Sequence, residues 1–214
     1  LLARIAIARS FTSLSVFEVN AHGQAQIYGW VGLFVLGAAY LLLPRFLGVP
    51  LAWPRLARLT LPLLVLGTVV RAVAEPFPAT PPMPALALTA AVVQLLAVAA
   101  FLAVVAATLK QAPARGATHR YLVAAFAWLG VAGALDLFHL ARLLAAPDRE
   151  ALLDQVATWQ YALREAQVHG LALTLIFGMS LWLLPALFGR KVAMQTRAKR
   201  LFWPLQLGLL TEVV

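Results

Sequence analysis

Apolar residues run through positions 21–44, 76–109 and 166–189 without one Asp, Glu, Lys or Arg among them. Each run reaches or exceeds the roughly 20 residues a helix needs to cross the hydrocarbon of a bilayer. No two-residue alternation of the kind a barrel strand shows competes with them. Together with shorter apolar stretches, the pattern predicts six helices over residues 20–44, 57–75, 84–110, 119–144 and 158–187 and from about 200 onward. Residues 1–19 read as an amphipathic lead-in or the end of an earlier helix, and residues 20–214 as a single transmembrane bundle. The stretch PFPATPPMP at 76–84 predicts a turn, because proline withholds a backbone donor that lipid cannot replace. Trp53, Trp159 and Trp203 fall near the predicted helix ends, where amphipathic rings favour the membrane interface.

Composition agrees with the pattern. Of 214 residues, 63% are hydrophobic and 12% charged, and the mean hydropathy is +0.87. This is more apolar surface than a soluble core of such length buries. The net charge of +9 raises the question of nucleic acid. The basic residues lie in short loops between apolar runs, however, so they read as topology signals and nucleic acid is set aside as a partner. With no cysteine, the chain has no disulfide, thiolate metal site or iron–sulfur cluster, and any metal takes His, Met, Tyr or carboxylate ligands. The chain opens on Leu1 and closes on Val214 inside an apolar run, as a piece of a longer protein does. No signal peptide is recognised.

Charge also predicts orientation. Arg45, Arg55, Arg58, Lys110, Arg115, Arg120, Arg190, Lys191, Arg197, Lys199 and Arg200 all fall at one set of helix ends. The excess of Lys and Arg marks that side as cytoplasmic. Glu18, Glu75, Asp148, Glu150, Asp154 and Glu165 lie at or near the opposite ends.

A repeat is superimposed on this topology. AQIYGWVGLFVLGAAYLLLPRFLG at 25–48 returns as AQVHGLALTLIFGMSLWLLPALFG at 166–189, both obeying AQ-x-x-G-x7-G-x6-P-x3-G. RLTLPL at 58–63 returns as RLFWPL at 200–205, one residue out of register. The period spans four helices, an even number, which predicts a parallel repeat of 20–118 by 119–214, the second copy truncated. The glycines at 29, 37, 170 and 178 are expected to serve close helix packing. One matched position changes chemistry: Tyr28 becomes His169.

Against this background, polar groups that are expensive to insert carry the information. An Asp at a helix centre costs roughly 2.5–3.5 kcal/mol on insertion scales. Asp136, His139 and Arg142 form an i, i+3, i+6 stripe on one helix face. Glu165 and His169 are i, i+4 neighbours, with Arg164 and Gln167 beside them, and His22 and Gln26 repeat that spacing on the first helix. Each has a structural alternative: His22 and His139 as interfacial histidines, Asp136 as a partner of His139 or Arg142, and Arg71 with Glu75 as a local ion pair. His169, some two turns into its helix, is the strongest candidate for a ligand or proton carrier. Asp136, His139 and His169 also suit a proton relay, the chemistry of a transporter or proton pathway without haem.

The stretch AHGQAQIYGWVGLFVLGAAYLLLPRF at 21–46 resembles NnrS-type proteins, bacterial membrane proteins that carry haem and copper and are associated with nitric oxide stress and denitrification. The repeat is also similar to haem-copper oxidase subunit I, whose helices come in groups of four. The resemblance implies a multi-pass protein of the bacterial inner membrane that binds haem and copper, with nitric oxide as a small gaseous ligand. His22 and His169 would be the haem or metal ligands, and Gln26, Tyr28, Asp136, His139, Glu165 and Gln167 a second shell or proton relay. His22 itself aligns with Leu163, and residues 200–214 hold no histidine, so the resemblance does not extend to an oxygen-reducing site.

Overall fold

A computed structural model describes residues 14–111, 116–189 and 194–213. The expected lead-in up to residue 13, and the cytoplasmic assignments of Arg115, Arg190 and Lys191, lie outside the described residues.

The described residues are all-helical. The six helices are α1 (Val16–Leu47), α2 (Pro54–Ala74), α3 (Met83–Lys110), α4 (Ala117–Ala145), α5 (Arg149–Phe188) and α6 (Met194–Val213). The first five are long and apolar enough to cross a membrane, and at most 50% of the most apolar stretch of any of them is buried. Large apolar side chains point outward instead, with Trp30 80% and Phe34 74% exposed. Such a surface suits hydrocarbon and not water. The chain is a multi-pass helical membrane protein.

Several boundaries extend past those predicted, for local reasons. α1 starts at Val16, four residues early, because Ser15 and Glu18 close a capping box in which each side chain accepts the other's backbone N–H. α5 starts at Arg149 because Asp148 caps it, its carboxylate accepting from the Ala151 N–H at 2.8 Å. α2 follows Trp53, which holds a left-handed backbone at φ 47 ahead of Pro54.

The chain divides into two compact units, one of Leu1–Phe46 with Pro50–Val105 and the other of Leu47–Val49 with Ala106–Val214. The second unit thus takes up the end of α3, while the repeat places its boundary at 118/119. In the first unit α1 packs on α2, and Gly67 lets α3 approach. A Cβ there would lie 2.9 Å from the Ala90 carbonyl oxygen and 2.7 Å from Gln94 Cγ. In the second unit α5 packs along α4, with Gly170 against the Trp128 ring and Gly178 against Tyr121, each closer than 3.0 Å to an added Cβ. Gly29 meets Thr68 at 3.2 Å, while a Cβ at Gly37 has no described neighbour within 4 Å. Close packing therefore accounts for three of the four motif glycines, and Gly37 is the exception.

The repeat has a backbone counterpart that its sequence does not announce. α1 is π-helical over Ala25–Gly32 and α5 over Ala166–Leu173, two segments that begin on the matched AQ pair. The Leu33 N–H reaches back five residues to the Tyr28 carbonyl, and the equivalent Thr174 N–H does the same to the His169 carbonyl. A π turn holds an extra residue, so the faces before and after it are offset from a continuous α-helix. In both copies this offset falls where Tyr is exchanged for His.

Candidate functional site

In the second unit the π segment of α5 brings together the pair that spacing predicted. Nδ1 of His169 is hydrogen-bonded to Oε2 of Glu165 one turn earlier. The His169 side chain is 46% exposed and that of Glu165 15%. The His169 carbonyl receives a second donor, the Thr174 hydroxyl at 3.1 Å, which fixes the backbone at the same residue. Because Gly170 lies directly on the Trp128 ring, the segment is pinned against α4. Trp128 is held in turn by its indole N–H, which donates to Gln206 Oε1 of α6 at 2.8 Å.

Gln167 does not join this pair. Its side chain is buried and its Oε1 accepts from Arg164 Nη1 at 2.7 Å. Asp136 and His139 are buried one turn apart on α4, 4% and 1% exposed, whereas Arg142 is exposed and donates to Gln155 Oε1 on α5 at 3.0 Å. In the first unit Tyr28 is buried, His22 half-buried and Gln26 exposed. The repeat thus sets a buried phenol at Tyr28 against a half-exposed imidazole at His169.

The most extensive polar assembly was missed by sequence reasoning. In the first unit, Arg71 and Glu75 of the α2 end form the predicted i, i+4 ion pair at 2.7 Å, yet both side chains are wholly inaccessible. Asn20 Nδ2 of α1 donates to the other Glu75 oxygen at 2.6 Å. Arg71 Nη1 donates to Gln94 Oε1 of α3 at 3.2 Å. That bond dictates the orientation of the Gln94 amide, turning its Nε2 toward Gln24 Oε1 at 2.9 Å and Thr68 Oγ1 at 3.0 Å. One ion pair thereby orders three helices. Gln94 is the lone amide of α3, inside a run whose lack of charge conceals it, and the cost of burying an amide in lipid was the signal available.

The donor set fits the groups the resemblance implies unequally. A single imidazole suffices as an axial ligand to haem. His169 suits that role, since a carboxylate on one ring nitrogen fixes the tautomer and leaves Nε2 as the lone-pair side. Copper asks for several donors. Among the described residues no three His, Asp or Glu side chains gather closely enough to hold a metal ion, so the copper expectation rests on the sequence alone. Comparison with protein-family models, curated proteins and solved structures finds no match.

Proposed function

We propose that the chain is an NnrS-like haem protein of the bacterial inner membrane that lowers sensitivity to nitric oxide, with His169 as a haem ligand. The observation that carries this reading is the Glu165–His169 pair, an imidazole oriented by a carboxylate on a π segment. π turns within α-helices occur frequently at functional sites. Glu165 holds the ring and fixes which ring nitrogen carries the lone pair. Thr174 and Trp128 fix the backbone beneath it. Haem held by His169 would supply an iron able to bind a small gaseous ligand such as nitric oxide.

The test is the visible spectrum of the purified full-length protein. A Soret band that disappears in His169→Ala, with the variant still inserted in the membrane, is the expected result. A wild-type protein without a chromophore, or a His169→Ala variant with full haem content, overturns it.

A second reading, a transporter or proton pathway, draws on the buried polar groups: the network around Arg71 in the first unit, and Asp136 with His139 in the second. Intramembrane ionisable residues often mark such paths. Proton or solute flux into liposomes carrying a chromophore-free protein would favour it.

A further inference from the structure

In the second unit, a cleft of about 530 Å³ opens where α4 begins, α5 ends and α6 begins. Phe177, Leu184 and Pro185 of α5, Leu201 and Pro204 of α6 and Tyr121 of α4 line it. The Tyr121 hydroxyl is already engaged, donating to the Ala198 carbonyl at 3.1 Å. Arg197, exposed on the first turn of α6, is the one charged residue of the lining among the described residues. The cleft is thus apolar along its walls and cationic at one rim.

We propose that this cleft binds an anionic phospholipid, with an acyl chain along the α5–α6 wall and the phosphate at Arg197. The assignment stands independently of the haem reading. Two observations select this occupant. The walls belong to helices of a membrane protein, where the surrounding solvent is acyl chain and a cleft lined by Phe, Leu and Pro excludes polar solutes. The second observation is charge: Arg120, Arg197, Lys199 and Arg200 lie at this end of the unit, while residues 76–135 and 166–211 contain no Asp or Glu. The neutralising anion therefore comes from outside these stretches, and basic pockets between helices on the cytoplasmic side are suited to acidic headgroups.

The experiment uses the purified full-length protein in detergent with equal amounts of phosphatidylglycerol and phosphatidylcholine, the retained lipids being counted by native mass spectrometry. Phosphatidylglycerol should be retained preferentially. Arg197→Gln should weaken that retention about fivefold, the effect of one basic side chain near an anionic headgroup. Arg58→Gln, which removes another exposed charge in the first unit, should leave it unchanged. Ser180→Phe, which fills the cleft, should abolish retention, with circular dichroism and elution volume reporting the fold. Should Ser180→Phe misfold, the surface pair Arg197→Gln and Arg58→Gln still decides. Equal retention of both lipids, an equal loss in the two Arg variants, or a folded Ser180→Phe protein that keeps its lipid overturns the proposal. So does a photo-crosslinker at Leu201 that captures polypeptide in place of lipid.

Discussion

Glu75 and Gln94 occupy unequal places in the buried network of the first unit, and their replacement separates charge from hydrogen bonding. Glu75→Gln removes the negative partner of Arg71, whose side chain is wholly inaccessible. Breaking a buried pair in this way costs about 3–5 kcal/mol. Gln94→Leu removes three hydrogen bonds but keeps the ion pair, and single interhelical hydrogen bonds in membranes average about 0.6 kcal/mol. Thermal unfolding in detergent should therefore rank Glu75→Gln well below Gln94→Leu; the reverse order would show that the amide, not the charge, holds the helices. At the second site, Glu165→Gln should weaken haem retention about 10–100-fold, as loss of an outer-shell carboxylate does at metal sites, measured by haem transfer to apomyoglobin. Retention equal to wild type would detach Glu165 from the ligand. These two sites were unequally legible. The i, i+4 spacing of Glu165 with His169 and of Arg71 with Glu75 is local, and helix geometry alone places those side chains together. Asn20, Gln24 and Gln94 meet only through tertiary packing, and no spacing along the chain encodes that.

At the scale of the element, apolar run length located all five spans, since a helix crossing lipid must satisfy its own backbone. The ends were less legible because capping overrode hydropathy: Ser15 with Glu18, and Asp148, extend α1 and α5 into polar sequence. The π segments were not legible at all, since the AQ-x-x-G frame marks a shared position without stating its hydrogen-bond register. Matched glycines make the contrast testable. Gly178→Ala would place a Cβ 2.9 Å from Tyr121 Cβ, whereas Gly37→Ala meets no described atom within 4 Å. Overpacking of this kind costs about 1–3 kcal/mol; in open space Ala is favoured over Gly in a helix by up to about 1 kcal/mol. The melting temperature in detergent should fall for Gly178→Ala and hold or rise for Gly37→Ala. Gly67→Ala should be the most damaging of the set, because its nearest neighbours include the Ala90 carbonyl oxygen at 2.9 Å, a backbone atom that cannot rotate away. Equal melting points for the three variants would refute the packing account.

For the whole molecule, five successive spans impose alternation, so the side assigned to one loop fixes every other. The loops around Arg45 to Arg58 and around Lys110 and Arg120 carry the positive charge, whereas the segment after α2 and the cap and first turn of α5 carry Glu75, Asp148 and Glu150. The positive-inside rule then sets the α2–α3 and α4–α5 connections outside and the α1–α2 and α3–α4 connections inside. The chain has no cysteine, so each introduced thiol reports alone. Thr80→Cys and Pro147→Cys, both at exposed turn positions, should react with a membrane-impermeant maleimide in intact cells, while Gln111→Cys, equally exposed, should react only after permeabilisation. The result also locates the chemistry. Glu75, Asn20 and Gln24 lie near the α2–α3 end of the first unit, so the expected pattern puts that network in the outer half, whereas His169 stands midway along α5. The Arg197 cleft then faces the cytoplasmic leaflet, where anionic lipid is expected. Labelling of Gln111→Cys in intact cells, with Thr80→Cys protected, would invert both assignments together, because no single span can turn over without its neighbours.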